Sequence, residues 1–328
     1  MADLSSQVIA AYAQGRRDFS YCQMPAIRMS QYVLTGIDLW GCNLADAHLA
    51  DVDFSGSNLR GADLQRANLR RTNFQEADLR GACFVDTQLE DANFQDAIAN
   101  YQTQFPEDFE PIQAGIHYLG PKATLIDCNL SHRDLGGIDL SHSDLAGAQL
   151  TKTNLLGAWL VGAQLTEADL SYANLNSSNL SNANLQRAKF KGTDFTRANL
   201  SKAILFGVDL SKADLKKSCL SGVVCDPATQ WPEDFDWEWA GVYCLGPNQS
   251  LWAADLSHLR LTGIDLSGAN LVGVNFTGAD LWGANLQGCD LRDACLAGAN
   301  LWGANLIDAD LTGADIDTAN LEATILSH

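Results

Sequence analysis

Basic residues are scarce in this chain. Its 328 residues include 21 Lys and Arg against 40 Asp and Glu, a formal net charge of −19. Contacts with nucleic-acid phosphates need clustered Lys and Arg, so this composition argues against direct nucleic-acid binding. The chain also lacks an apolar run long enough to cross a membrane, and its first residues lack the basic and uninterrupted apolar parts of a signal peptide. We therefore expect a cytoplasmic protein with no membrane partner.

Several chemical signatures are missing as well. No two of the nine cysteines have the CxxC spacing of zinc ribbons or thioredoxin-like sites. No Gly-rich phosphate loop is present. His132 and His142 are ten residues apart, which would place them on opposite faces of a twenty-residue coil, so they suggest no metal cluster. The abundant Asp follows a repeating pattern and marks no paired-carboxylate site. We therefore expect no enzyme activity, no catalytic residue, no cofactor and no metal.

The dominant feature that is present is a five-residue spacing. Between residues 280 and 306, Leu stands at every fifth position, and a small residue lies two places before most of these leucines. Neither the 3.6-residue period of a helix nor the two-residue period of a strand has this spacing. With Leu or Phe as the central residue, the rule covers residues 19–94, 125–220 and 251–326. It predicts a solenoid whose central and small residues point inward.

The charges indicate how many five-residue units form one coil. Residues one coil apart are neighbours on one face, where opposite charges are favoured. At a separation of twenty residues, opposite-sign pairs outnumber like-sign pairs. They include Arg66 with both Asp46 and Asp86, Arg71 with both Asp51 and Asp91, Arg70 with Glu90, and Glu167 with Arg187. Trp282 and Trp302 have the same separation and are expected to stack on one face. Four units per coil are therefore favoured.

Two stretches interrupt the arrays and match each other. TQFPEDFEPIQAGIHYLGP at 103–121 and TQWPEDFDWEWAGVYCLGP at 229–247 share Thr, Pro-Glu-Asp-Phe, Ala-Gly and Leu-Gly-Pro at identical offsets. The expected organisation is an N-terminal cap in 1–18, arrays in 19–97, 125–223 and 251–328, and insertions in 98–124 and 224–250. The cap is predicted to be a short helix over residues 4–14, with Asp3 as its N-cap and Leu4 in its apolar stripe.

Runs such as ADLRGACF, ANLNSSNLSNANL and GADLWGANL resemble the pentapeptide-repeat family, whose pattern is A(D/N)LXX. This resemblance implies an all-β fold, a right-handed quadrilateral β-helix with the Leu or Phe and the small residue inside. Fifty-two such units would form about 13 coils. The opening YAQGRRDFS and the two insertions are similar to sequences of cyanobacterial members.

Two classes of function stay open. The first is a non-enzymatic rigid scaffold that binds a protein partner of unknown identity. Its candidate contact residues are the aromatic residues of the insertions and two outward tryptophans: Phe105, Phe109, Trp231, Phe235, Trp237, Trp239, Trp282 and Trp302. For the insertions, the favoured interpretation is a loop whose aromatic residues fold onto the coil, and a partner-binding loop is the alternative, which is compatible with it. A weak homodimer through the C-terminal coil is a further hypothesis.

The second class is implied by the family resemblance. Some members mimic duplex DNA and bind type II topoisomerases, which protects gyrase from inhibitors. Against this alternative, residues 125–223 carry a net charge of only +1, and no apolar dimerisation helix follows Leu326 in this sequence. The scaffold is therefore the preferred hypothesis.

Overall fold

The computed structural model describes residues 3–326. The backbone divides into two compact units, the first ending at Asn129 and the second beginning at Leu130. Within the described range the regular elements are α1 Leu4–Ala13, β1 Ile98–Ala99, β2 His117–Tyr118, β3 Val224–Cys225 and β4 Tyr243–Cys244. Strand β1 pairs with β2 and β3 pairs with β4, in parallel in both cases. Elsewhere the backbone alternates tight turns with single-residue β-bridges.

The bridges join residues twenty positions apart. Asp38 pairs with Asn58 in the first unit and Asn154 with Asn174 in the second, each pair in parallel. One coil of backbone therefore holds four five-residue units, as the charge pattern predicts. Such a ladder makes each unit a solenoid of the β-helix type.

Each corner of a coil is a tight turn with one residue in the left-handed region. The N–H of Ala47 donates to the carbonyl of Leu44 at 3.1 Å, and Asp46 between them has a φ of 59°. This region costs a non-glycine residue roughly 1–2 kcal/mol, yet even Arg66 occupies it. The next coil offsets the cost, because the N–H of Asp46 donates to the carbonyl of Gln65 at 2.8 Å.

The Asp or Asn before each central residue closes the turn and links neighbouring coils. The carboxylate of Asp38 accepts the N–H of Trp40 at 3.0 Å. The same oxygen accepts the side-chain amide of Asn58, one coil further on, at 3.0 Å. Asp53 and Asn73 form an equivalent link at 2.9 Å. A polar ladder therefore runs along the outside of the coils.

The interior holds the two side chains that the five-residue rule predicts to point inward. Leu180 and Ala183 are both completely buried. In the first unit Phe54, Phe74 and Phe94 stack on one another across successive coils, with ring centroids 5.9 and 5.0 Å apart. Each buried Leu contributes roughly 1.5–3 kcal/mol, so repetition along the coil supplies a large apolar stabilisation.

Arg66 and Arg71 interact with Asp86 and Asp91 only as more distant charges, but the other four charge pairs predicted from the twenty-residue spacing form. Their nitrogen–oxygen distances are 2.8 Å for Arg66–Asp46, 2.6 Å for Arg71–Asp51, 3.0 Å for Arg70–Glu90 and 3.4 Å for Arg187–Glu167. Exposed pairs of this kind contribute about 0.2–1 kcal/mol each. They confirm the spacing of the coils more than they stabilise the fold.

Helix α1 lies against the first coil. Asp3 caps it, as predicted, by accepting a backbone N–H of the first turn at 2.8 Å. Val8 is buried, and the hydroxyl of Tyr12 donates to the carbonyl of Thr35 at 2.9 Å. Leu4, in contrast, was predicted in the apolar stripe but is 46% exposed, because the helix begins at this residue and its first turn extends past the apolar contact.

In both insertions the backbone first continues the coil and then leaves the ladder of β-bridges. Thr103 and Thr229, which match in the two copies, donate to carbonyls of the preceding coil, Leu79 at 3.0 Å and Leu205 at 2.8 Å. The backbone then leaves the ladder over residues 105–115 and 231–241, and rejoins it at β2 and β4. We call these segments aromatic loop 1 and aromatic loop 2.

Within the second unit, the third array contacts the outer face of the second array. Ile204 and Val224 stand in the slot usually held by outward-facing Asp or Asn, yet both are buried in one apolar cluster with Leu256 of the third array. Beside this cluster the ammonium group of Lys202 lies 2.7 Å from the carboxylate of Asp255. The two apolar departures from the repeat therefore mark an internal packing surface.

Candidate protein-interaction surface

The rings of aromatic loop 1 are directed into the core of the first unit. Phe105 stacks on Phe84 with their centroids 5.2 Å apart, and Phe109 lies 5.1 Å from Phe94. Both loop residues are partly buried against the core cluster of that unit. Phe105 and Phe109 therefore extend the internal stack of phenylalanines, and their ring faces are already in contact with it.

The rings of aromatic loop 2 instead gather around one another. Trp231 stacks on Phe235 at 5.6 Å and on Trp237 at 6.4 Å, and all three side chains are half-buried. Trp239 stands apart from this stack and is 89% exposed. An indole this exposed is a large apolar surface in water, and such surfaces are enriched at protein interfaces.

The two copies of the insertion provide an internal comparison. Trp231 and Phe235 correspond to Phe105 and Phe109, so one aromatic pair is common to both loops. Trp237 and Trp239 correspond to Pro111 and Gln113, neither of which is aromatic. The first copy folds onto its coil without these two indoles. Covering the coil therefore does not account for Trp237 and Trp239.

Charge surrounds the exposed indole. Aromatic loop 2 carries the exposed carboxylates Glu233, Asp234, Asp236 and Glu238, and residues 224–250 contain no Lys or Arg. An open groove of about 550 Å³ lies beside the loop, with Glu233 and Asp234 on one side and three lysines of the second array on the other: Lys212, Lys216 and Lys217. Glu233 and Asp234 thus face the lysines of the groove, whereas Asp236 and Glu238 lie next to Trp237 and Trp239 in the loop, outside that groove.

Trp282 and Trp302 form the stack that the sequence predicts. Their centroids are 5.6 Å apart and their planes differ by 6°. They are 46% and 39% exposed, so each indole leaves part of its surface in contact with solvent. The rings cover one another on successive coils, which makes them a weaker candidate for partner binding than Trp239.

His117 joins a thiol and a carboxylate in the first unit. Its Nδ1 lies 3.2 Å from the Sγ of Cys128, and its Nε2 lies 3.2 Å from the Oδ1 of Asp96. The order of groups matches a nucleophile, a base and an orienting acid. Burial, however, raises the pKa of the Cys128 thiol to about 11, so the thiol keeps its proton at neutral pH. The contact is not predictable from the spacing of the repeats, because an interrupted frame separates the three residues.

Metal-binding clusters and membrane-spanning helices are both absent between residues 3 and 326. Nowhere in that range do three or more His, Cys, Asp or Glu side chains form a group that could hold a metal ion. In the same range, no helix has the length and apolarity that crossing a lipid bilayer requires.

The family model for pentapeptide repeats matches this chain in eight copies. The matched segments include residues 33–66, 57–96, 123–158, 149–187, 183–222, 254–293 and 284–322. These segments cover well over half of the sequence. The chain therefore belongs to the pentapeptide-repeat family, and the resemblance seen in the sequence is confirmed.

Solved structures of the same family are similar to this chain. The pentapeptide-repeat protein alr5209 of Nostoc PCC 7120 is 29% identical over 34% of this chain and 93% of its own, with a TM-score of 0.34. HetL of Nostoc PCC 7120, a protein involved in the regulation of heterocyst differentiation, is 25% identical over 98% of this chain and 96% of its own, with a TM-score of 0.24. At such TM-scores the likeness carries no functional conclusion. No curated protein matches the sequence.

Proposed function

We propose that this protein is a non-enzymatic scaffold that acts through protein–protein contacts, and that aromatic loop 2 is its principal contact surface. The partner is a protein segment that carries Lys or Arg together with apolar side chains. We place this interaction in the cytoplasm, without nucleic acid, membrane or cofactor as a partner. As the rigid support, we propose right-handed quadrilateral coils that total about 13 turns over the three arrays.

The observation that carries the proposal is the 89% exposure of Trp239. The matched position in the other copy is Gln113, so a polar side chain is compatible with this type of loop. Asp236 and Glu238, which neighbour Trp239 in the loop, lie outside the lysine-lined groove, and residues 224–250 contain no Lys or Arg, which favours a basic partner by charge complementarity. A cation of the partner placed over the indole would add a cation–π contact of about 0.5–2 kcal/mol.

The test uses three synthetic peptides of equal length: basic and amphipathic, acidic and amphipathic, and neutral and polar. Each is titrated against the full chain, at low and at high salt. We expect only the basic amphipathic peptide to bind, with an affinity that falls as salt screens the carboxylates. Trp239→Gln, which installs the residue of the first copy, is expected to weaken binding at least tenfold.

Trp252→Gln is the matched control, because Trp252 is 70% exposed but lies outside the loop. It is expected to leave peptide binding unchanged. An equal loss of peptide affinity in the two variants would show that any exposed indole is sufficient for peptide binding. Binding of the acidic peptide would show that the proposed charge of the partner is wrong. Either result contradicts the proposed surface.

A weak homodimer through the C-terminal coil is a separate proposal. It is supported by the side chains of Ile325 and Leu326, which are 51% and 54% exposed on the last described coil. Sedimentation velocity over a range of concentrations compares the full chain with Leu326→Lys. We expect association in the parent protein only, and two monomeric samples at high concentration would end the proposal.

A further inference from the structure

Two cysteines face each other at the base of aromatic loop 2. Strand β3 pairs with β4 in parallel, and the register places Cys225 directly opposite Cys244. Side chains at directly paired positions of adjacent parallel strands project on the same side of the sheet. Strands in such a pair lie about 4.8 Å apart, within the range of roughly 4.4–6.8 Å between the Cα atoms of disulfide-bonded cysteines.

The two thiols affect each other. A hydrogen bond between them contributes to the pKa of each thiol, and Trp231 of the loop contributes to the pKa of Cys225. Both cysteines are free. Burial raises the pKa of both thiols, while the hydrogen bond from Cys225 opposes the rise at Cys244. Cys244 is therefore the better thiolate of the pair.

Only one of the two sulfurs is open to an incoming reagent. Cys225 is 1% exposed. Cys244 is half-buried and lines an open cavity of about 240 Å³ together with Trp237, Glu238 and Gln249. A reagent can therefore reach Cys244 first, with Cys225 held behind it in contact.

Nothing in the coil requires this pair of thiols. In the first copy the same paired positions hold Ala99 and Tyr118, in the same parallel register. Cys22 and Cys42 are also one coil apart, but the thiol of Cys42 donates instead to the carbonyl of Phe19 at 2.9 Å. The directly paired thiols are thus present at the base of aromatic loop 2 and absent at the matching positions of the first copy.

We propose that Cys225 and Cys244 form a reversible disulfide, with a low-molecular-weight disulfide such as oxidised glutathione as the oxidant. The Cys244 thiolate attacks one sulfur of the oxidant, breaks its S–S bond and releases one thiolate, which leaves a mixed disulfide. Cys225 loses its proton to solvent and attacks the Cys244 sulfur, which releases the second thiolate. The protein loses two hydrogens and the oxidant is reduced to two thiols.

The bond would close a ring that contains the whole of aromatic loop 2. The spacing of the strands exceeds the usual separation of about 3.8 Å between the Cβ atoms of a disulfide, so the two strands must move slightly closer together. This movement strains the disulfide, and strained disulfides are easily reduced. This fits a transient bond in a reducing compartment. A disulfide at the base of the loop restricts its conformations before binding. The loop then loses less conformational entropy when the partner binds, so the oxidised form would bind its partner more tightly. This regulatory consequence rests on the proposed function.

The experiment equilibrates the full, folded chain with mixtures of reduced and oxidised glutathione. Remaining thiols are alkylated in denaturant, and the products are mapped by mass spectrometry. We expect a peptide pair joined through Cys225 and Cys244, two hydrogens lighter than its reduced form, and its loss when reduced glutathione is added. Cys225→Ser is expected to remove the pair and to retain glutathione on Cys244.

Three results would overturn the proposal: both cysteines alkylated at every ratio, a lasting glutathione adduct at Cys244 in the parent chain, or a Cys22–Cys42 pair formed in place of Cys225–Cys244. The mass-spectrometric mapping of the disulfide needs no binding partner, so its result is independent of the proposed function. Titration of the basic amphipathic peptide against both forms then tests the regulation, with at least threefold tighter binding expected after oxidation. Absence of peptide binding in both forms contradicts the proposed function alone.

Discussion

The ammonium group of Lys202 lies 2.7 Å from the carboxylate of Asp255, although 53 residues separate them along the chain. Hydrogen bonds from Lys202 and then from Ser257 lower the pKa of Asp255 to about 2, from an ordinary value of 3.8. The pair stands beside the apolar contact made by Ile204 and Val224. It therefore links the second and third arrays electrostatically as well as by packing.

We expect Asp255→Asn to lower the free energy of unfolding at pH 7 by about 0.2–1 kcal/mol, the range for exposed ion pairs. Because the folded pKa lies below the unfolded one, the contribution is present above pH 3.8 and disappears as the pH falls towards 2. Denaturant unfolding at pH 7, 4 and 2 measures this. Lys202→Met should lower the free energy of unfolding by the same amount, and the double variant should lower it little further. Additive losses would mean that the two groups do not interact.

Ala183→Leu is expected to destabilise the protein by about 1–3 kcal/mol, because Ala183 is completely buried in the narrow inward slot. Asn182 is a poor control, since its φ of 58° would strain a leucine. Ser181→Leu is better, because Leu156 already occupies an equivalent outward position at 47% exposure. Thermal and denaturant unfolding should place Ser181→Leu within about 0.5 kcal/mol of the parent protein. Equal losses would disprove the inward assignment.

The stack of Trp282 and Trp302 should be measurable as a coupling energy. Single and double Ala variants form a cycle, and we expect an interaction of about 0.5–1.5 kcal/mol from the offset indole rings. Trp252 and Trp302 form the control pair. The effects of their two Ala substitutions on the free energy of unfolding should add within about 0.5 kcal/mol. A coupling near zero for Trp282 and Trp302 would free both rings for a role in partner binding.

We expect no protection of DNA gyrase from a quinolone in a supercoiling assay. Residues 125–223 carry a net charge of +1, whereas duplex DNA presents one negative charge per roughly 1.7 Å of its axis. An acidic globular protein of similar net charge serves as the control for non-specific effects. Dose-dependent protection at micromolar concentration, absent from that control, would favour the DNA-mimic alternative.

Much of the solenoid could be predicted because one local rule is repeated by translation along the chain. The inward position of Ala183 follows from its place before a central Leu. The pairing of Arg66 with Asp46 follows from their separation of twenty residues. The polar ladder of Asp38 and Asn58 was not predicted. A slot occupied by Asp or Asn shows that a polar group is needed, but not which atoms it contacts.

The sequence by itself determined the five-residue units, the four units per coil and the duplicated insertion, because each depends only on spacing along the chain. Only the tertiary structure decided that Phe105 enters a core while Trp239 projects into solvent, that Ile204 is buried under a third array, and that Cys225 faces Cys244. The physical reason is that regular spacing defines neighbours only while the coil continues. Where the backbone leaves the ladder and rejoins it, the path of the loop selects each residue's neighbours.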